Sequence, residues 1–138
     1  MPYSFTDAEA GGVQNLDDLA NVLRQQISAL SPTDPQQLAH QALGPQSGEV
    51  LLVVVRGNET PHIHPQSDLI FSVLEGGGHV ALPVPGGMGD PIDAPAGMTV
   101  RIPQGVCHAY YNTSPTDSVL LVTFSPGISA RAVCPPAP

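Results

Sequence analysis

There is no lysine among the 138 residues, and that absence removes a good deal of chemistry. Schiff-base formation and an amine general base both need a lysine side chain. The basic residues are four arginines, at 24, 56, 101 and 131, set against twelve acidic residues for a net charge of -8. Scattered in this way they form no basic patch, so neither nucleic acid nor an anionic membrane is expected as a partner. Long apolar runs are missing too. The longest is Val50 to Val55, far short of the roughly 20 residues a membrane helix needs. The N-terminal MPYSFTDAEAGG lacks the positive region and apolar stretch of a signal peptide, so a cytoplasmic location is expected. Two cysteines, Cys107 and Cys134, are too few for a disulfide framework. In that compartment free thiols are expected, with a single bridge between them as the alternative.

What is present describes one domain. Residues 1 to 14 carry no periodic pattern and read as an arm. Leu16, Leu19, Ala20, Leu23, Ile27 and Leu30 then recur at helical spacing, which predicts an amphipathic helix of about four turns. Asn15 is its expected N-cap, with Asp17 and Asp18 in the first turn. A second, shorter helix is expected from Asp34 as N-cap, Pro35 at the first helical position and Gly44 just past the end.

Beyond residue 47 the texture changes to short apolar segments: 50–56, 69–74, 79–84, 99–103, 109–112 and 119–124. Gly, Pro, Asn and Asp separate them, as strands of a sandwich or barrel require. The expected organisation is an arm and helices over 1–47, an all-β barrel over 48–126, and a tail over 127–138. The tail ends in CPPAP, which cannot extend a sheet and is expected to fray.

The informative stretch is PHIHPQSDLIFSVLEGGG, residues 61–78. On an extended chain His62 and His64 share a face, as two ligands of one metal would. His108, in RIPQGVCHAYYN, can join them from a neighbouring strand. Three imidazoles suit Fe, Zn, Ni, Mn, Co or Cu and do not choose among them. A His-x-His pair alone is common by chance; His40 and His79 read as structural residues.

The spacing around His108 resembles the second motif of the cupin superfamily: Gly97, five residues, Pro103, Gln104, Gly105, two residues, His108, three residues, Asn112. The first motif is matched at His62, His64 and Gly76, with VLEG at its end. The resemblance covers about residues 48 to 126. It implies a small single-domain cupin, an antiparallel jelly-roll or double-stranded β-helix barrel holding a divalent metal through His62, His64 and His108; the two expected N-terminal helices lie outside the resemblance. Gly57 lies one residue nearer His62 than the motif has it, and the motif's glutamate ligand is missing. Counting forward from His64 puts Asp68 in that place; counting back from Gly76 puts Leu69 there. The two-residue period favours Leu69 facing inward with Phe71 and Val73, and hence a three-histidine site. A bulge near Pro65 would favour Asp68 instead.

Cupins with three-histidine sites include dioxygenases of thiols, gentisate-type substrates and diketones, so the resemblance implies oxygen chemistry on a small organic molecule. The alternative is a non-enzymatic binding or sensor module. Leu69, Phe71, Val73, Val100 and Ile102 are expected to line an apolar pocket. Tyr110 and Arg56 are the candidate polar contacts, against the plainer roles of a core aromatic and a solvated strand end. That poverty of acid–base groups argues against epimerase or isomerase chemistry. Pairing through sheet edges, common among cupins, implies a homodimer.

Overall fold

The computed structural model describes residues 3–8, 12–44 and 49–135. Strand β4 (Val50–Val55) is apolar at every position. Alternate residues of a strand face opposite sides, so such a run needs cover on both. Leu51 and Val55, with Val53 beside them, face the inner core. Leu52 and Val54 face outward and pack on helix α1 (Leu16–Ser28) through Leu16, Ala20, Leu23 and Ile27. The Asn15 side chain accepts hydrogen bonds from the backbone N–H groups of Asp17 and Asp18 at 3.0 and 3.3 Å, capping the helix as expected.

The barrel is two facing antiparallel sheets. One runs β11 (Thr99–Ile102), β6 (Asp68–Glu75), β13 (Ser118–Ser125), β4, β3 (Leu38–Ala42). The other runs β10 (Ile92–Pro95), β7 (Gly77–Ala81), β12 (Ala109–Asn112). Small ribbons join β8 (Pro83–Val84) to β9 (Gly87–Met88) and β5 (His62–Ile63) to β14 (Ala132–Val133). Leu69, Phe71 and Val73 of β6 meet Leu120, Val122 and Phe124 of β13 between the sheets. Gly78 lets β12 come close: a Cβ there would stand 2.2 Å from the Tyr111 carbonyl oxygen and 2.7 Å from the Tyr110 hydroxyl.

Three expectations are corrected. Among the described residues there is one helix, not two: Leu38–Ala42, assigned to the second helix, is strand β3, paired along β4. The spacing of Leu38 and Ala42 fits a two-residue period as well as a helical one. Pairing with β4 satisfies backbone groups along an otherwise open edge, and that long-range ladder prevails over the local helix signal. Asp34 caps a turn instead, accepting the Gln36 N–H at 2.9 Å. Within the N-terminal arm, β1 (Ser4–Asp7) and β2 (Gly12–Asn15) form an antiparallel ribbon. Its neighbour Tyr3 donates its hydroxyl to the Leu74 carbonyl.

The third correction concerns the cysteines and the tail. Cys107 and Cys134 form a disulfide, so neither is a free thiol. Ahead of CPPAP the tail is tied to the barrel, Ala132 and Val133 pairing with Ile63 and His62, and Cys134, the first residue of CPPAP, is tethered by the bridge, so fraying does not begin there. Residues 136–138 and the 47/48 boundary lie outside the described residues. Disulfides persist in oxidising compartments, so the bridge removes one support for a cytoplasmic location. No helix among the described residues is long and apolar enough to cross a membrane.

Candidate metal centre and cavity

His62 sits on β5, His64 two residues on, and His108 just before β12. All three are buried, at 6%, 7% and 4% exposure, which places them inside the barrel mouth rather than on its surface. One ring nitrogen from each lies within 4.8 Å of the others. The His62 and His64 Nε2 atoms are 3.2 Å apart. Phe124 packs edge-on against His64, ring centroids 4.8 Å apart.

Backbone carbonyls orient two of the rings. His62 Nδ1 lies 2.9 Å from the Thr60 oxygen and His108 Nδ1 lies 3.0 Å from the Val106 oxygen. A carbonyl only accepts, so both Nδ1 atoms carry hydrogen and both Nε2 atoms present lone pairs. His64 then has two tautomers to choose from. With hydrogen on Nε2 it can donate to His62, but its buried Nδ1, which has no hydrogen-bond partner among the described residues, becomes an unsatisfied acceptor. With hydrogen on Nδ1, that buried donor has no partner among the described residues either, and two lone pairs oppose each other at 3.2 Å. Leaving a buried polar group unpaired costs about 1–3 kcal/mol. A cation shared by the three Nε2 atoms removes the conflict, and a set of neutral imidazoles suits first-row divalent metals. The residues therefore fit such an ion.

Burial keeps these rings neutral. It pulls His62 down to about 4, with the neighbouring His108, His64 and Arg131 adding to the effect. Burial brings His108 to about 4 and lowers His64 as well. Neutral imidazole is the metal-binding form.

Asp68 lies elsewhere. Its carboxylate accepts from Arg101 Nη2 and the Gln104 N–H, each at 2.8 Å. These bonds hold its carboxyl below its ordinary value. Leu69 faces inward and lines the cavity beside the histidines.

The cavity holds about 270 Å³. Leu69, Phe71 and Ile102 line it as expected, whereas Val73 and Val100 pack into the core. Tyr110 borders it, with its hydroxyl donated to Ser118 Oγ at 2.9 Å. Arg56 is not a pocket residue. Its guanidinium grips both oxygens of Asp117, at 2.9 and 3.1 Å, and donates to Ser28 Oγ at 3.0 Å. That grip fastens the end of α1 to the barrel.

Sequence reasoning missed four polar wall residues: His40, Glu59, Ser129 and Arg131. Glu59 Oε1 accepts the Tyr110 N–H at 3.2 Å and lies 3.8 Å from His62 Nδ1. Burial pushes its carboxyl up to about 7, against the pull of that N–H and of Arg131. The cavity therefore has an acid–base group, contrary to the expected poverty of them. Position three residues before His62 was the one available hint for Glu59. Reading 127–138 as a tail outside the barrel hid Ser129 and Arg131, and reading 34–44 as a helix hid His40.

The family profile described as "Cupin domain" matches residues 47–124. A protein of Aquifex aeolicus (strain VF5), described as uncharacterized, is 39% identical over 80 residues, covering 58% of this chain and 61% of that protein. The chain thus aligns with less than two thirds of that relative's length. Among solved structures, recombinant oxalate oxidase in complex with glycolate superposes with a TM-score of 0.61 at 24% identity, covering 76% of this chain and 59% of that one. An uncharacterized conserved protein with a double-stranded β-helix domain from Klebsiella pneumoniae gives 0.57 at 17%, covering 79% and 93%. Oxalate decarboxylase from Bacillus subtilis gives 0.55 at 20%, covering 63% and 24%. At these identities the likeness is one of fold.

Proposed function

Because the chain belongs to the cupin domain family, we propose that it holds one divalent metal ion through His62, His64 and His108 and acts on a small organic molecule in the barrel. The reading rests on one observation: three buried, neutral imidazoles converge at the wall of an apolar cavity. Three ligands leave coordination positions free for substrate, the arrangement expected of a mononuclear dioxygenase. The bound ion would supply the redox or Lewis-acid chemistry. The chain's own contribution is to position and to exclude. Thr60 and Val106 fix two ring orientations, Phe124 walls one side of His64, and Leu69 and Phe71 keep the inner face dry.

Metal analysis of purified protein, joined to oxygen uptake with candidate ligands, tests the proposal. Stoichiometric metal and ligand-dependent oxygen consumption are expected. Stoichiometric metal with ligand binding and no turnover in air would favour the second reading, a binding or sensor cupin. The Tyr110 hydroxyl, already committed to Ser118, is compatible with that simpler role. A homodimer belongs to the same proposal. Barrel-edge strands gain from being covered by a second copy. Light scattering at micromolar concentration checks it.

A further inference from the structure

In a chain with three acidic residues for every basic one, three arginines have found carboxylates. Arg24 pairs with Glu75 and Asp117, Arg56 with Asp117, and Arg101 with Asp68. Arg131 is the exception: among the described residues no carboxylate lies within 4.0 Å of it. Its hydrogen-bond partner is a neutral one, Gln36 Oε1 at 3.2 Å. Yet it is the arginine on the cavity wall, next to Ser129 and Ala130 and in the same enclosure as the three histidines.

Its placement is held from both sides. Ile128 donates its N–H to Ser67 Oγ at 3.0 Å, Ala132 and Val133 pair with β5, and Cys134 is bridged to Cys107. Arg131 is therefore carried on a tethered segment, not on a loose end. A guanidinium presents a planar fork of donors suited to the two oxygens of a carboxylate. Below it the wall is aliphatic and aromatic, and the volume, about 270 Å³, falls just under the usual range of roughly 300–1,000 Å³ for ligand pockets. The small volume and the single arginine on the wall leave room for one carboxylate.

We propose that Arg131 is a specificity-determining residue, and that the cavity's ligand is a small monocarboxylic acid with a compact apolar body. The carboxylate meets Arg131 at the mouth and the apolar body fills the space beside Leu69 and Phe71. This deepens the cavity reading above but does not depend on the metal.

The test is calorimetric titration of benzoate and hexanoate against benzamide and hexanamide, in protein as purified and after chelation. Wild type, Arg131→Gln and Arg131→Lys are compared, each with metal content and thermal midpoint measured. At least tenfold tighter binding of the acids than of the amides is expected in wild type. Arg131→Gln should abolish that preference while leaving metal content and midpoint unchanged, and Arg131→Lys should recover part of it. An Arg131-dependent preference that persists after chelation would uphold the proposal, whereas absence of metal from protein as purified would count against the metal reading alone. Equal binding of acids and amides, no binding of either acid, or a preference that survives Arg131→Gln but vanishes on chelation would overturn it. In the last case the carboxylate goes to the metal.

Discussion

His62 and His108 exchange both backbone hydrogen bonds, His62 N–H to the His108 oxygen and His108 N–H to the His62 oxygen, each at 3.0 Å. Two candidate ligands 46 positions apart in the chain, adjacent in the fold, are thus registered by the main chain before any metal arrives. Such a preformed pair predicts that ligand loss disrupts metal binding more than folding. His62→Ala, His64→Ala and His108→Ala should each lower metal content at least tenfold with the far-ultraviolet dichroism retained. Asp68→Ala should leave metal content within error of wild type, because its carboxylate is engaged by Arg101 and Gln104. Elemental analysis after gel filtration checks all four.

The same histidines set a pH dependence in protein stripped of metal. His62 and His108 fall from 6.5 to about 4 on folding, so between those values the unfolded chain binds more protons than the folded one. Their stabilising effect is complete above about 6.5 and is lost as pH falls toward 4, at about 1.4 kcal/mol per pKa unit as an upper bound. Glu59 works in the opposite direction. Its carboxyl rises from 4.5 to about 7, so the stability it contributes is present below 4.5 and lost as pH rises through 7. Glu59→Gln should therefore stabilise the metal-free protein at pH 8, by on the order of 1–3 kcal/mol, and change little at pH 4. Urea denaturation at the two pH values reads the difference.

Leu23 is fully buried between α1 and the outer face of β4. Leu23→Ala should cost about 2–5 kcal/mol, the range for deleting a core leucine. Metal content should not change, because the helix packs on the far side of the sheet from the histidines. Thermal or urea unfolding beside elemental analysis separates the two effects.

Reduction of the Cys107–Cys134 bridge should act on the tail first. The bridge spans 27 residues, and closing a loop of that size stabilises by about 3–4 kcal/mol in the chain-entropy account. In a Cys134→Ser variant, amide exchange should accelerate over 127–135 well before β6 and β13 respond. Uniform exchange across the barrel would show that the bridge holds the whole fold instead.

How far the sequence could be read depended on the range of the interactions. Asn15, the apolar period of α1 and the barrel strands are local patterns, and they were legible. So was the grouping of His62, His64 and His108, through the motif spacing. Strand β3 was not, because Leu38 and Ala42 satisfy two periods and the decision is made by β4, residues away in the chain. Arg131 was not, because its place depends on a cross-strand pairing at Ala132–Val133 and on a disulfide. Nothing within CPPAP or its flank announces either contact. Arg56 was legible as a charge but not as a clamp, since its partner Asp117 is 61 positions on.

The double cover of β4 bears on how this barrel can vary through descent. The family profile spans 47–124, yet Leu52, Val54, Val119 and Leu121 in that span pack toward a helix that lies before it. Cut away from α1, the segment would carry a bare apolar stripe along two neighbouring strands and be prone to self-association. A relative lacking this helix would need polar side chains at the four corresponding positions, or a second subunit laid over them. Those four positions, read alone, should therefore separate helix-bearing from helix-free relatives.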